Sequence, residues 1–109
     1  MAHFIVEKRS MEYLPYDVDF TGLLSDSDTI LDTTKTTAVV KDSAGVDQTA
    51  LIIKSKSFSG KVVTLNLKDG VDGEDYNIWV TGVGDVSFAT NNPVRVIELR
   101  VRDYIVGNV

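Results

Sequence analysis

The 109-residue sequence predicts an all-β fold on three observations. Val, Ile and Thr number 16, 7 and 10, so 33 positions are β-branched, against 15 for Ala, Leu and Met together. Such side chains lose rotamer freedom in a helix and pack well on a pleated sheet. The acidic residues are mostly Asp, 12 against 4 Glu, and Asp favours turns over helix interiors. Finally, no long window has a 3.6-residue apolar period, whereas several segments alternate with period two.

Taken in order, residues 1–12 read as either a flexible arm or an extra edge strand running from Phe4 to Lys8. Val18 and Phe20 point inward from a strand over 16–20. Segments 34–41 and 49–56 read as strands whose registers the pattern does not fix. Over 61–68, Val63, Leu65 and Leu67 share one face, with Thr64, Asn66 and Lys68 opposite. Tyr76, Ile78 and Val80 share a face of 75–83. Ile97, Leu99 and Val101 share a face of 94–102, with Glu98, Arg100 and Arg102 turned to water. Turn chemistry separates these runs at Asp42-Ser43-Ala44-Gly45, Ser59-Gly60, Asp69-Gly70, Asp72-Gly73 and Asn91-Asn92-Pro93. About seven short strands punctuated in this way predict an antiparallel sandwich of immunoglobulin-like type. One such domain accounts for residues 1–109, a usual length for a single core.

The composition excludes more chemistry than it suggests. With no cysteine, disulfides, thiolate metal sites and cysteine nucleophiles are excluded. The single histidine, His3, stands near the N-terminus, a poor place for a catalytic imidazole. The net charge of -5 arises in residues 1–50, where four basic side chains meet nine acidic ones, chiefly between Asp17 and Asp32. Arg95, Arg100 and Arg102 are interrupted by Glu98 and Asp103, so no basic patch suits nucleic acid. No stretch approaches the ~20 apolar residues of a membrane span. The apolar run Phe4-Ile5-Val6 is too short for a signal peptide, so synthesis in the cytoplasm without export is expected.

Two acidic loops could suggest Ca²⁺. Asp26 and Asp28 with Asp32 begin like a calcium loop, but Ile30 stands where an oxygen donor is needed. The run from Asp69 to Asp75 holds four carboxylates, yet hairpin loops are commonly Asp/Gly-rich for conformational reasons alone. Its glycines fit turn geometry, so Gly73→Val is expected to destabilise and Asp72→Ser is not. Neither these carboxylates nor His3 compose a recognisable catalytic set, and the expectation is a non-enzyme without cofactor or metal. Trp79 lies on the strand face opposite Tyr76, so the sole tryptophan points away from the core. A tryptophan there is either covered by other parts of the chain or an anchor for a partner. Trp79, Asp26, Asp28 and Arg100 are therefore the candidate interaction residues.

Several spaced motifs together resemble a family of small proteins encoded among the virion structural genes of tailed bacteriophages and prophages. Asp19-Phe20-Thr21-Gly22-Leu23-Leu24 followed by Asp28-Thr29-Ile30 is similar to that family's opening. Leu67-x-x-Gly70-x-x-Gly73-x-x-Tyr76 is similar to its hairpin, and Val94 to Arg102 to its closing strand. Phe20 and Leu23 stand where the family often has tryptophan, and Ser27 and Asp69 where it often has glycine. The resemblance covers about residues 8–104. It implies an immunoglobulin-like structural or assembly module of the virion, in its tail, neck or attachment parts. The implied partners are other virion proteins or further copies of the chain. The alternative is a tail-tip module binding carbohydrate or a receptor, with a surface glycan against Trp79.

Overall fold

A computed structural model describes residues 3–24, 28–85 and 92–103. Among them seven strands and one helical turn follow in the order β1 (His3–Lys8), β2 (Leu14–Asp19), β3 (Thr37–Asp42), α1 (Thr49–Ile52), β4 (Ile53–Ser59), β5 (Val62–Leu67), β6 (Asp75–Thr81) and β7 (Val94–Val101). They form a four-stranded sheet, β1-β7-β6-β3, and a three-stranded sheet, β2-β5-β4. All neighbours are antiparallel except β1, which lies parallel to β7. In a constant-type immunoglobulin domain the first strand joins the sheet of the second. Here it sits on the opposite sheet.

The alternation decides which side chains are covered. Val63, Leu65 and Leu67 of β5, Tyr76, Ile78 and Val80 of β6, and Ile97, Leu99 and Val101 of β7 are buried and form one core with Val18, Phe20, Leu31 and Val40. Residues from both sheets thus meet in a single sandwich-like interior. At ~25 cal/mol per Å² of apolar surface removed from water, that interior is the main stabilising term.

The segment 49–56 departs from its expected strand. Its apolar residues Ala50, Leu51, Ile52 and Ile53 are consecutive and do not alternate. Asp47 accepts a bond from the Thr49 N–H at 2.8 Å, and the Leu51 and Ile52 N–H groups both donate to the Gln48 carbonyl. One helical turn results, which carries Ile52 into the core before β4 begins. β3 likewise starts later than residue 34. The Asp32 carboxylate accepts from the N–H groups of Thr34 and Lys35 and from the Thr34 hydroxyl, closing a turn ahead of the strand.

The β5–β6 turn refines the expectation for its glycines. Asp69, Gly70 and Gly73 have φ of 48°, 102° and 90°. A Cβ at Gly73 meets nothing within 4 Å, whereas one at Gly70 lies 2.7 Å from Val101 Cγ2. Asp72 accepts a bond from the Asp103 N–H at 2.9 Å, so it too has a structural task. Gly70→Ala should therefore cost about 2 kcal/mol, combining backbone strain with overpacking. Gly73→Val should cost about 1 kcal/mol from strain alone, and Asp72→Ser up to about 1 kcal/mol for an exposed bond. Urea unfolding of the three variants checks this order, and Gly73→Val as the most damaging would refute it.

Candidate functional site

Strand register composes the outer face of the four-stranded sheet row by row. Trp79 pairs with Val39 on one side and Val96 on the other. The next row runs Lys41, Asn77, Glu98, Ile5, and a third Asp75, Arg100, Glu7. On the opposite flank lie Thr37, Thr81 and Val94. Trp79 is 36% exposed, as is Val39, with Val94 at 38% and Ile5 at 51%. A shallow depression lies between Trp79, Val39 and Lys41. The result is an apolar band across the sheet with charges along one margin. Arg100 stands on that margin with its Nε donating to Glu98 Oε2.

The other outer face differs in kind. Pro15, Asp17 and Asp19 of β2 stand opposite Asn66, Thr64 and Val62 of β5, followed by Ser55, Ser57 and Ser59 of β4. Several of these short polar groups satisfy each other. The Thr64 hydroxyl donates to Asp17 at 2.6 Å and the Asn66 amide to Ser55 at 2.9 Å. A hydroxyl-rich surface of this kind is well solvated by itself. The apolar band around Trp79 is the face with surface to bury.

The other candidate residues fall elsewhere. Asp28, expected among the interaction residues, is only 2% exposed and packs against Gly84. This correction has a local cause. Asp85 accepts bonds from the Thr29 N–H and hydroxyl, both at 2.9 Å, and draws the segment inward. Those bonds hold the Asp85 carboxyl below the usual carboxylate range. Asp26 lies outside the described residues. The carboxylates from Asp69 to Asp75 do not converge, since Asp72 holds the Asp103 N–H and Asp75 pairs with Arg102 at 2.8 Å. Among the described residues no three His, Cys, Asp or Glu side chains are grouped as metal ligands.

Two features escaped the sequence reading. Lys8 is fully buried, its ammonium donating to the carbonyls of Arg9, Glu12 and Asp69. Burial pushes its pKa down, against the attraction of Glu12, Asp69 and Asp103. The signal was present, for Lys8 shares the parity of Phe4 and Val6. The second feature is a cleft of about 220 Å³ where the sheets part between β1 and β2, lined by Phe4, Tyr16, Asp17, Val18, Asp19, Arg95 and Ile97. Only the pairing of β1 with β7 reveals it.

Among known proteins, the family model described as podophage GP4 fiber-tail adaptor protein gp77 matches residues 8–83. No curated protein matches the chain.

Proposed function

The chain belongs to the podophage GP4 fiber-tail adaptor protein gp77 family, a phage virion structural family, and we propose from that premise that it joins a fiber component to the tail without catalysing a reaction. It is a tail-associated structural module of the virion. Among the described residues no helix is long and apolar enough to cross a membrane.

The observation that carries the proposal is the unlikeness of the two outer faces. The band of Val39, Trp79, Val96 and Val94 offers apolar area to a protein partner. The opposite face offers hydroxyl, carboxylate and amide groups, several of them already bonded to one another. Aromatic anchors with apolar neighbours are what protein interfaces use. A sugar subsite instead sets polar groups convergently around its aromatic platform, and here valines flank Trp79 on both neighbouring strands.

Trp79→Ala in the phage genome should yield particles depleted of fibers, with thermal unfolding of the isolated variant changed little. A loss of at least about 2 kcal/mol in partner affinity, roughly 30-fold, is expected for a central tryptophan. Trp79 is also the sole tryptophan, so its emission should shift blue as the adjoining virion protein covers it. Fully fibered Trp79→Ala particles would refute this docking face. Glycan-array binding lost in the same variant would favour the carbohydrate-binding alternative.

A further inference from the structure

The two sides of the sandwich are closed differently. On the β3 side the chain covers its own edge. Val40 donates its N–H to the Thr49 hydroxyl at 2.9 Å and accepts from the Gln48 N–H at 2.8 Å, while the Asp42 N–H reaches the Val46 carbonyl at 3.0 Å. On the β1 side nothing comparable exists among the described residues. The Arg102 N–H donates to the Lys8 carbonyl at 2.9 Å, which places the backbone groups of Phe4, Val6 and Lys8 toward β7. Those of Ile5 and Glu7 therefore point outward, along a free edge.

β2, the neighbouring edge, is blunted. The Phe20 N–H bonds the Lys61 carbonyl at 2.9 Å, so Phe20, Val18, Tyr16 and Leu14 face β5. Pro15, Asp17 and Asp19 are left on the outside. Proline has no N–H to offer and charges discourage pairing there. β1 has no proline and a single outward charge, Glu7, and its Ile5 and Phe4 are 51% and 39% exposed. Beneath it opens the cleft of about 220 Å³, with room for one or two apolar side chains.

We infer that the β1 edge is a strand-addition site for an extended segment of another virion protein in which apolar residues alternate with Lys or Arg. Backbone pairing with Ile5 and Glu7 would supply affinity and alternate side chains the selection. One set of side chains enters the cleft against Phe4, Tyr16, Val18 and Ile97. The requirement for basic residues follows from charge. Glu7, Asp17 and Asp19 stand on this side, and among the described residues that line the cleft the one cation, Arg95, is stacked over the Phe4 ring at 5.5 Å. Bonds from the Thr21 hydroxyl and N–H, with Arg95 nearby, hold the Asp19 carboxyl below its ordinary range, so it stays charged at neutral pH.

The test titrates the full isotope-labelled chain with an eight-residue peptide alternating Val and Lys, read by amide chemical shifts. Shifts should concentrate at Phe4–Lys8 and Val18–Asp19, and affinity should fall with salt. Ile5→Pro removes an outward N–H and leaves the β7 ladder intact, so it should weaken binding at least about tenfold with little change in melting temperature. Glu7→Lys, which touches no backbone group, should weaken it as well. The inference is overturned if the peptide does not bind, if a Val–Glu peptide binds equally, or if shifts fall elsewhere. It is also overturned if light scattering finds a dimer that Ile5→Pro abolishes, since the edge would then belong to a second copy. None of these readouts involves Trp79, so the outcome is separable from that of the docking face.

Discussion

Lys8→Met should lower the free energy of unfolding by about 4 kcal/mol, the sum of several buried acceptors left without a donor. The ammonium has three protons and meets three carbonyls, those of Arg9 and Glu12 in the turn before β2 and Asp69 in the turn after β5. The Arg9–Glu12 turn is already closed by its own bonds, from the Glu12 N–H to the Arg9 carbonyl and from the Arg9 N–H to the Glu12 carboxylate. What Lys8 adds is the crossing from that turn to the β5–β6 turn, 61 residues away in sequence. Methionine fills a similar volume but satisfies none of these oxygens. Domains of this size are stable by only ~5–15 kcal/mol, so the loss should appear as a melting temperature lower by some 15 °C or more. Lys41→Met, at an exposed position, is the control and should stay within about 0.5 kcal/mol. Equal melting of the two variants would show that Lys8 is dispensable.

That a lysine should be central was legible in part. The alternation that turned Tyr76, Ile78 and Val80 inward and Trp79 outward holds in β6, and the same rule applied from Phe4 would have turned Lys8 inward. Parity alone does not bury a charged side chain, because a lone sequence does not show three carbonyls converging from two turns. The strands β5, β6 and β7 were legible because each buries one face only, which writes a clean period of two. Residues 49–52 were not, since the apolar run from Ala50 to Ile53 fits a helical turn or a buried strand equally and the decision lay with Asp47 and Gln48. For the site, Trp79 could be read from its own strand. Its neighbours Val39 and Val96 could not, because pairing between distant strands is a property of the whole fold. Asp28 was misplaced for the same reason, its surroundings being supplied by residues 84 and 85.

The two proposed contact surfaces share one sheet. Trp79 stands on its outer face and β1 is its edge. A strand added beside β1 would set its outward side chains next to Ile5 and Glu7 and so widen the face on which Trp79 lies. A molecule that joins two others needs two contact regions. A sandwich with one side closed by its own chain and one side open offers them without any change of fold.

Gly84→Ala should be the most damaging added methyl group among the described glycines, costing about 3–4 kcal/mol. Beyond β6 the chain makes a short second pairing. Leu31 bridges Gly84, the Asp32 N–H donates to the Val83 carbonyl at 2.7 Å and the Asp85 N–H to the Ile30 carbonyl at 3.1 Å. Val83 is tied from the other side by the Thr36 hydroxyl, which accepts its N–H at 3.0 Å. Between these bonds the Asp28 carboxylate lies directly over the Gly84 Cα, where a Cβ would overlap all three of its carboxyl atoms. Gly84 is not among the glycines with positive φ, so alanine would be acceptable to the backbone and the penalty is steric. Relief would require the buried carboxylate to leave its bonded position, and burying a displaced charge is costly. The cause can therefore be isolated by a double-mutant cycle. Asp28→Ala should destabilise by itself, yet in that background Gly84→Ala should cost at least about 1 kcal/mol less than in the wild type. If Gly84→Ala is as harmful without the carboxylate as with it, the overlap is not the reason that glycine occupies this position.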